Sequence, residues 1–108
     1  MLPEALVRAK KYADAGADGI FLPAMVQSGH IRRLVADIAL PLNLMASEGL
    51  PDATTLAQMG VRRLSAGSAI AQVAFWHTQQ AAKEFLETGQ MRKSKEQVPY
   101  SQMQRLFA

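Results

Sequence analysis

The chain has no cysteine among its 108 residues, which excludes a disulfide framework, a thiolate metal site and a cysteine nucleophile. Its only histidines, His30 and His77, have no spacing that makes a metal pair, so both are read as structural. No Ser-His-Asp order, phosphate-cradling glycine loop or clustered carboxylate pair occurs. No apolar run approaches the roughly 20 residues needed to span a bilayer, and the richest, Ala69 to Trp76, is broken by Gln72. A membrane partner is therefore not expected. No basic segment followed by an apolar core marks a secretory leader, and the expected location is cytoplasmic.

What is present is ordinary for one globular domain. Hydrophobic residues make up 49% and charged residues 19%, enough apolar surface to exclude a disordered tail. The formal charge of +3 suggests nucleic acid until its location is considered. Residues 1–88 hold eight basic and eight acidic side chains, and the excess comes from Arg92, Lys93, Lys95 and Arg105 against Glu96. A nucleic-acid surface needs a broader basic face interleaved with aromatic or polar base readers. A short basic segment reads instead as a solvated linker, and nucleic-acid binding is disfavoured.

Three segments share one layout of amphipathic helix, glycine and short apolar strand. The first helix starts near Pro3, a favoured first-turn residue, and Leu2, Leu6, Ala9 and Ala13 share one face. Glu4–Arg8 and Lys10–Asp14 are outward i,i+4 pairs, and Gly16 is the expected left-handed cap. Residues 17–22 read as a buried strand ended by Pro23. In the second unit Ser28 is the expected N-cap and Ile31, Leu34, Val35 and Ile38 form the stripe, followed by a strand over 42–45. In the third, Asp52 is the cap, Ala53, Leu56 and Ala57 the inner face and Gly60 the stop, before a strand over 61–65. This alternation predicts an α/β fold with parallel strands joined by helical crossovers. A long helix follows from Ala69 to about Thr88, apolar on nearly every side in its first half. A helix apolar all round is buried all round, so the second face bearing Val73 and Trp76 needs a cover. The candidates are a final short helix, Tyr100 to Phe107, or another subunit. Further along, Lys83, Glu84 and Glu87 are expected outward, with Phe85 and Leu86 inward.

Three parallel strands cannot cover both their faces, and their two open edges invite pairing. A closed barrel takes eight strands and typically about 250 residues. The expectation is a partial (β/α)8 TIM barrel over residues 1–88, with a basic linker and short C-terminal helix over 89–108.

Three blocks then carry a resemblance. The stretch from Glu4 to Phe21 (EALVRAKKYADAGADGIF), the run Pro41-Leu42-Asn43-Leu44 with Gly49-Leu50-Pro51, and the stretch from Leu56 to Ala69 (LAQMGVRRLSAGSA) follow one another in order. Together they resemble the isocitrate lyase/phosphoenolpyruvate mutase superfamily, in its phosphonomutase/oxaloacetate-decarboxylase-like branch. The resemblance implies a (β/α)8 barrel of which these strands are the sixth, seventh and eighth. It also implies Mg²⁺-dependent cleavage or rearrangement of a carbon–carbon or phosphorus–carbon bond in a 2-oxo acid or phosphoenolpyruvate-like substrate. The superfamily's metal-binding carboxylates and catalytic loop belong to earlier strands, so no catalytic or metal-ligating residue is assigned here and tight Mg²⁺ binding is not expected. The chain thus reads as the C-terminal portion of such an enzyme, inactive alone.

Functional groups of such barrels lie at the C-terminal strand ends. The first strand ends in Phe21-Leu22-Pro23, with no acid or base. Asn43 is a polar amide in an apolar strand and needs partners, because an unsatisfied buried polar group costs roughly 1–3 kcal/mol. It has two readings: a hydrogen bond to a substrate carboxylate or enolate oxygen, as the resemblance implies, or a structural tie between strand ends. Ser65 and Ser68 flank Gly67 where the last strand enters the long helix, a place for a carboxylate or phosphate. For Ser68 the plain helix cap, its common role, is the favoured reading. Glu48, in the loop after Asn43, reads as a solvated carboxylate. Besides the enzymatic reading stands a non-catalytic one: a half-barrel that forms a homo-oligomer or joins a complementary half.

Overall fold

Helices and strands alternate as the periodicity predicts. The computed structural model describes residues 2–91 and 96–108. Its order is α1 (Leu2–Asp14), β1 (Ile20–Leu22), α2 (Ser28–Asp37), β2 (Leu42–Met45), α3 (Ala53–Gln58), β3 (Arg63–Ser65), α4 (Ala69–Thr88) and α5 (Tyr100–Leu106). The chain divides into two compact units, Met1–Ile70 and Ala71–Ala108. The basic segment Arg92-Lys93-Ser94-Lys95 lies outside the described residues. Among the described residues no helix is long and apolar enough to cross a membrane.

In the first unit the three strands lie parallel in the order β1-β2-β3. The helical links between them follow from this, since a parallel neighbour is reached only by crossing over. Alternation along each strand sends Ile20, Leu42 and Leu44 to one face, where they are buried with Ala9 of α1, Ile31 and Leu34 of α2, and Leu56. Burial of these side chains is what holds the unit together, at about 1.5–3 kcal/mol for each large one.

Local chemistry ends the helices where expected. Gly16 and Gly60 adopt φ of 92° and 94°, and each lets the chain fold back on the helix it leaves. The N–H of Ala17 reaches the carbonyl of Tyr12 at 2.9 Å, and that of Val61 reaches Leu56 at 3.0 Å, the pairing that closes a helix C-terminus through a left-handed residue. Asp52 caps α3 by accepting from the Thr55 backbone N–H at 2.8 Å. That bond holds its carboxyl below the ordinary value of 3.8. Arg8 and Glu4 form the expected ion pair.

Several expectations need correcting. The first strand is Ile20–Leu22, not residues 17–22. Its neighbour Pro41 has no N–H to extend the ladder, which opens with Ile20 N–H to the Pro41 carbonyl at 2.9 Å. Phe21, read as buried, is 51% exposed. The third strand is Arg63–Ser65, not residues 61–65. Ser28 is not the cap of α2: it is the first helical residue, and Gln27 precedes it with no side-chain cap. Ala53 and Ala57 are exposed, and the inner face of α3 is Leu56 with Met59. Lys10 and Asp14 are not among the ion pairs of the described residues.

In the second unit the difference is larger. No residue of α4 is buried. Phe85 and Leu86, expected inward, are exposed, whereas Glu84 is the least exposed residue of the helix. Trp76 remains 57% exposed, so α5 does not bury the face that carries it. The lengths explain this: a 7-residue helix spans roughly 10 Å and cannot sheath a 20-residue helix of roughly 30 Å.

Candidate functional site

The strand face turned away from α1, α2 and α3 carries the polar groups. Register aligns Phe21, Asn43 and Arg63 in one row, with Met45 and Ser65 in the next. All five have the opposite parity to the buried leucines, so their position on this face follows from the period of the strand. A shallow depression of about 430 Å³ lies on it, lined by Asp18, Phe21, Asn43, Arg63 and Ser65 among others.

Asn43 and Ser65 meet on this face. The Asn43 Nδ2 donates to Ser65 Oγ at 3.4 Å, and Ser65 Oγ donates to the Leu44 carbonyl at 3.2 Å. The amide is half tied down, because its Oδ1 is buried and has no hydrogen-bond partner. A buried carbonyl oxygen left in that state lacks a donor from outside, at a cost of roughly 1–3 kcal/mol.

Ser68 lies further along, exposed, in the turn before α4. Gly67 shapes that turn with φ of 57°, and a Cβ there would stand 2.8 Å from Met45 Sδ. The turn thus closes against the end of β2, the strand that bears Asn43. The structure therefore brings Asn43 and Ser65 into contact and sets Ser68 on the rim beyond. Glu48 is exposed in the loop after β2, and His77 sits edge-on to Trp76 at 4.9 Å in α4.

Segments read singly give Phe21 only as a wall at the end of the first strand and do not single out Asp18 or Arg63. Arg63 shares its strand parity with Ser65. The period of the strand alone places it on the polar face.

Mg²⁺ takes near-octahedral oxygen ligands, usually with carboxylates among them. Asn43 Oδ1 is a single neutral donor and Ser65 Oγ is already engaged. Among the described residues no group of three or more acidic or histidine side chains converges. These residues do not make a Mg²⁺ site.

Parallel strands with crossover helices packed on one face are how (β/α)8 barrels are assembled. The sequence profile of the phosphoenolpyruvate phosphomutase family matches residues 1–86, and the chain belongs to that family, within the isocitrate lyase/phosphoenolpyruvate mutase superfamily. An uncharacterized protein of Mycobacterium tuberculosis is 34% identical over 97 residues, covering 90% of this chain and 36% of its own. A candidate lyase/mutase from Burkholderia cenocepacia J2315 superposes with a TM-score of 0.85 at 29% identity, over 99% of this chain and 39% of its own. The structure of 2,3-dimethylmalate lyase, a member of the superfamily, gives 0.78 at 26% identity, over 94% and 38%. The fold is accordingly part of a (β/α)8 TIM barrel, and the chain spans between a third and two fifths of the length of these relatives.

Proposed function

We propose that the chain is the C-terminal portion of a lyase or mutase barrel and supplies its substrate-contacting rim, with Asn43, Ser65 and Ser68 as substrate-binding residues. The substrate class is a small carboxylate, a 2-oxo acid or phosphoenolpyruvate-like anion. The second Nδ2 hydrogen of Asn43 goes to a substrate carboxylate or enolate oxygen and its Oδ1 accepts from a bound water, while the Ser65 hydroxyl and the turn at Ser68 border the anion. In this reading the Mg²⁺ and the catalysis of bond cleavage belong to parts of a whole barrel that the chain does not match. The chain alone is then inactive.

The observation that carries this reading is the buried, unpartnered Asn43 Oδ1 beside Ser65 on an otherwise apolar strand. Oxalate is the probe, a small dicarboxylate. In an NMR titration of the labelled chain, oxalate shifts the side-chain amide resonances of Asn43 and the backbone amides of residues 65–68. No shift at either place overturns the reading, and turnover of oxaloacetate by the purified chain overturns its inactivity.

A second reading is favoured by one specific observation. Phe21 on the open strand face is 51% exposed, as are large apolar residues of α4 such as Ile70 and Phe75 at 75% each. Apolar surface of this extent marks an interaction site. In this reading the chain is a half-barrel that associates with itself or with a complementary half. Sedimentation velocity tests it, and a chain that stays monomeric across the accessible concentrations ends it.

A further inference from the structure

Among the described residues, Arg63 is the one cation that lines the depression on the open strand face. Register sets it directly beside Asn43 of the neighbouring strand, roughly 4.8 Å away at the backbone. Ser65 follows two positions along β3 on the same face. The Arg63 guanidinium belongs to none of the ion pairs of the described residues. The acidic residue on the same depression, Asp18, precedes β1, two strand spacings or roughly 10 Å across the sheet, too far for an ion pair.

In a closed barrel this face is the interior, packed with side chains and shielded from water. A guanidinium does not give up its proton, and a buried charge needs an opposite one. Asn43 and Ser65 are neutral, so they orient an anion without balancing its charge. We infer that Arg63 is the specificity-determining residue of this site: its guanidinium holds the carboxylate of a 2-oxo acid. The inference rests on the proposed substrate-binding role of Asn43 and Ser65, and divides the ligand between neighbours. The planar fork of Arg63 matches the two oxygens of one carboxylate. The second Nδ2 hydrogen of Asn43, on the adjoining strand, then goes to the 2-oxo or enolate oxygen next to that carboxylate. The substrate thereby supplies the counter-charge that the described residues do not, and an uncharged amide analogue is rejected.

The experiment is an NMR titration of the labelled chain with oxalate, with pyruvate and with its neutral isostere pyruvamide. It is run on the wild type, R63Q, R63K and R62Q. Arg62 is exposed and lines a separate depression with Val35 and Gly60, so R62Q removes the same charge away from the site. The wild type is expected to bind pyruvate roughly tenfold more tightly than pyruvamide. R63Q binds the two alike, R63K keeps part of the preference, and R62Q keeps all of it. The Nε–H resonance of Arg63 moves with pyruvate and stays in place with pyruvamide. Arg63 is exposed in the chain, so R63Q melts close to the wild type; should it unfold, R63K and the Nε–H resonance decide. A wild type with no oxalate response at Asn43 or residues 65–68 overturns the binding reading together with this inference. An oxalate response without a preference for pyruvate, or a preference that R63Q retains or R62Q equally loses, overturns the role of Arg63 alone.

Discussion

Gly60 faces Val35 so closely that a Cβ on Gly60 would stand 2.7 Å from Val35 Cγ1. The glycine closes α3 with φ of 94°, and Val35 belongs to the apolar stripe of α2. Gly60→Ala therefore meets two penalties at once, a left-handed backbone and a clash with a stiff β-branched side chain. The expected loss is roughly 2–4 kcal/mol of unfolding free energy, measured by urea denaturation. Gly49 has φ of 82° with nothing within 4 Å of its would-be Cβ. Gly49→Ala carries only the backbone cost, roughly 1 kcal/mol, and the gap between the two variants measures the Val35 contact. Equal losses would remove that contact from the account of the fold.

The elements that were legible in the chain are those decided by local rules. Gly16, Gly60 and Asp52 end or start helices through bonds to residues at most five positions away, so their chemistry is written in short windows. Ile31 and Leu34 are fully buried because α2 is long enough for its stripe to be unambiguous. The six-residue α3 is too short for that, and Ala53 and Ala57, apolar by type, lie on its exposed side. Phe85 and Leu86 show the other limit, since a periodic stripe says which side is apolar but not whether anything covers it. The site was half readable for the same reason. Asn43 stands out as an amide among apolar neighbours, but its contact with Ser65 joins residues 22 apart through strand register. Arg63 gains meaning only through that register, which aligns it with Asn43 and Phe21.

Leu44 is fully buried at the centre of the sheet, with Leu42 beside it on the covered face. Leu44→Ala leaves a cavity where helices and strands already interlock, and the expected loss is roughly 2–5 kcal/mol. Leu86, 83% exposed in α4, provides the contrast. Leu86→Ala changes the stability of the chain by roughly 0.5 kcal/mol or less. Thermal melts of both variants beside the wild type check the pair. A large loss at Leu86 would mean that α4 is covered in solution.

Asp52 ties stability to pH in a stated direction. The Thr55 backbone N–H, the largest influence, and the Thr55 side chain lower its folded pKa below 3.8. A carboxyl whose folded pKa is depressed contributes stability above its unfolded value, and that contribution disappears as pH falls through the folded value. Asp52→Ala is therefore less stable than the wild type at neutral pH, and the difference shrinks as the pH drops below 3.8. Denaturation midpoints of the two proteins at a series of pH values check this. A difference that stays constant from neutral to acid pH would show that the cap acts without its charge.

Asn43 separates a binding role from a structural one. If its amide chiefly ties the strand ends together, losing the bond to Ser65 costs roughly 1–3 kcal/mol. That bond is long at 3.4 Å, and the Oδ1 is buried without a partner, so the amide already carries a penalty that an apolar side chain would not. Asn43→Leu is of similar size and removes the unpartnered oxygen along with the weak bond. The expected outcome is a melting temperature equal to or above that of the wild type, together with loss of the oxalate-induced shifts at residues 65–68. A markedly lower melting temperature with the oxalate response intact would make Asn43 a strand tie, and the substrate contact would then have to be sought at the Ser65–Ser68 turn alone.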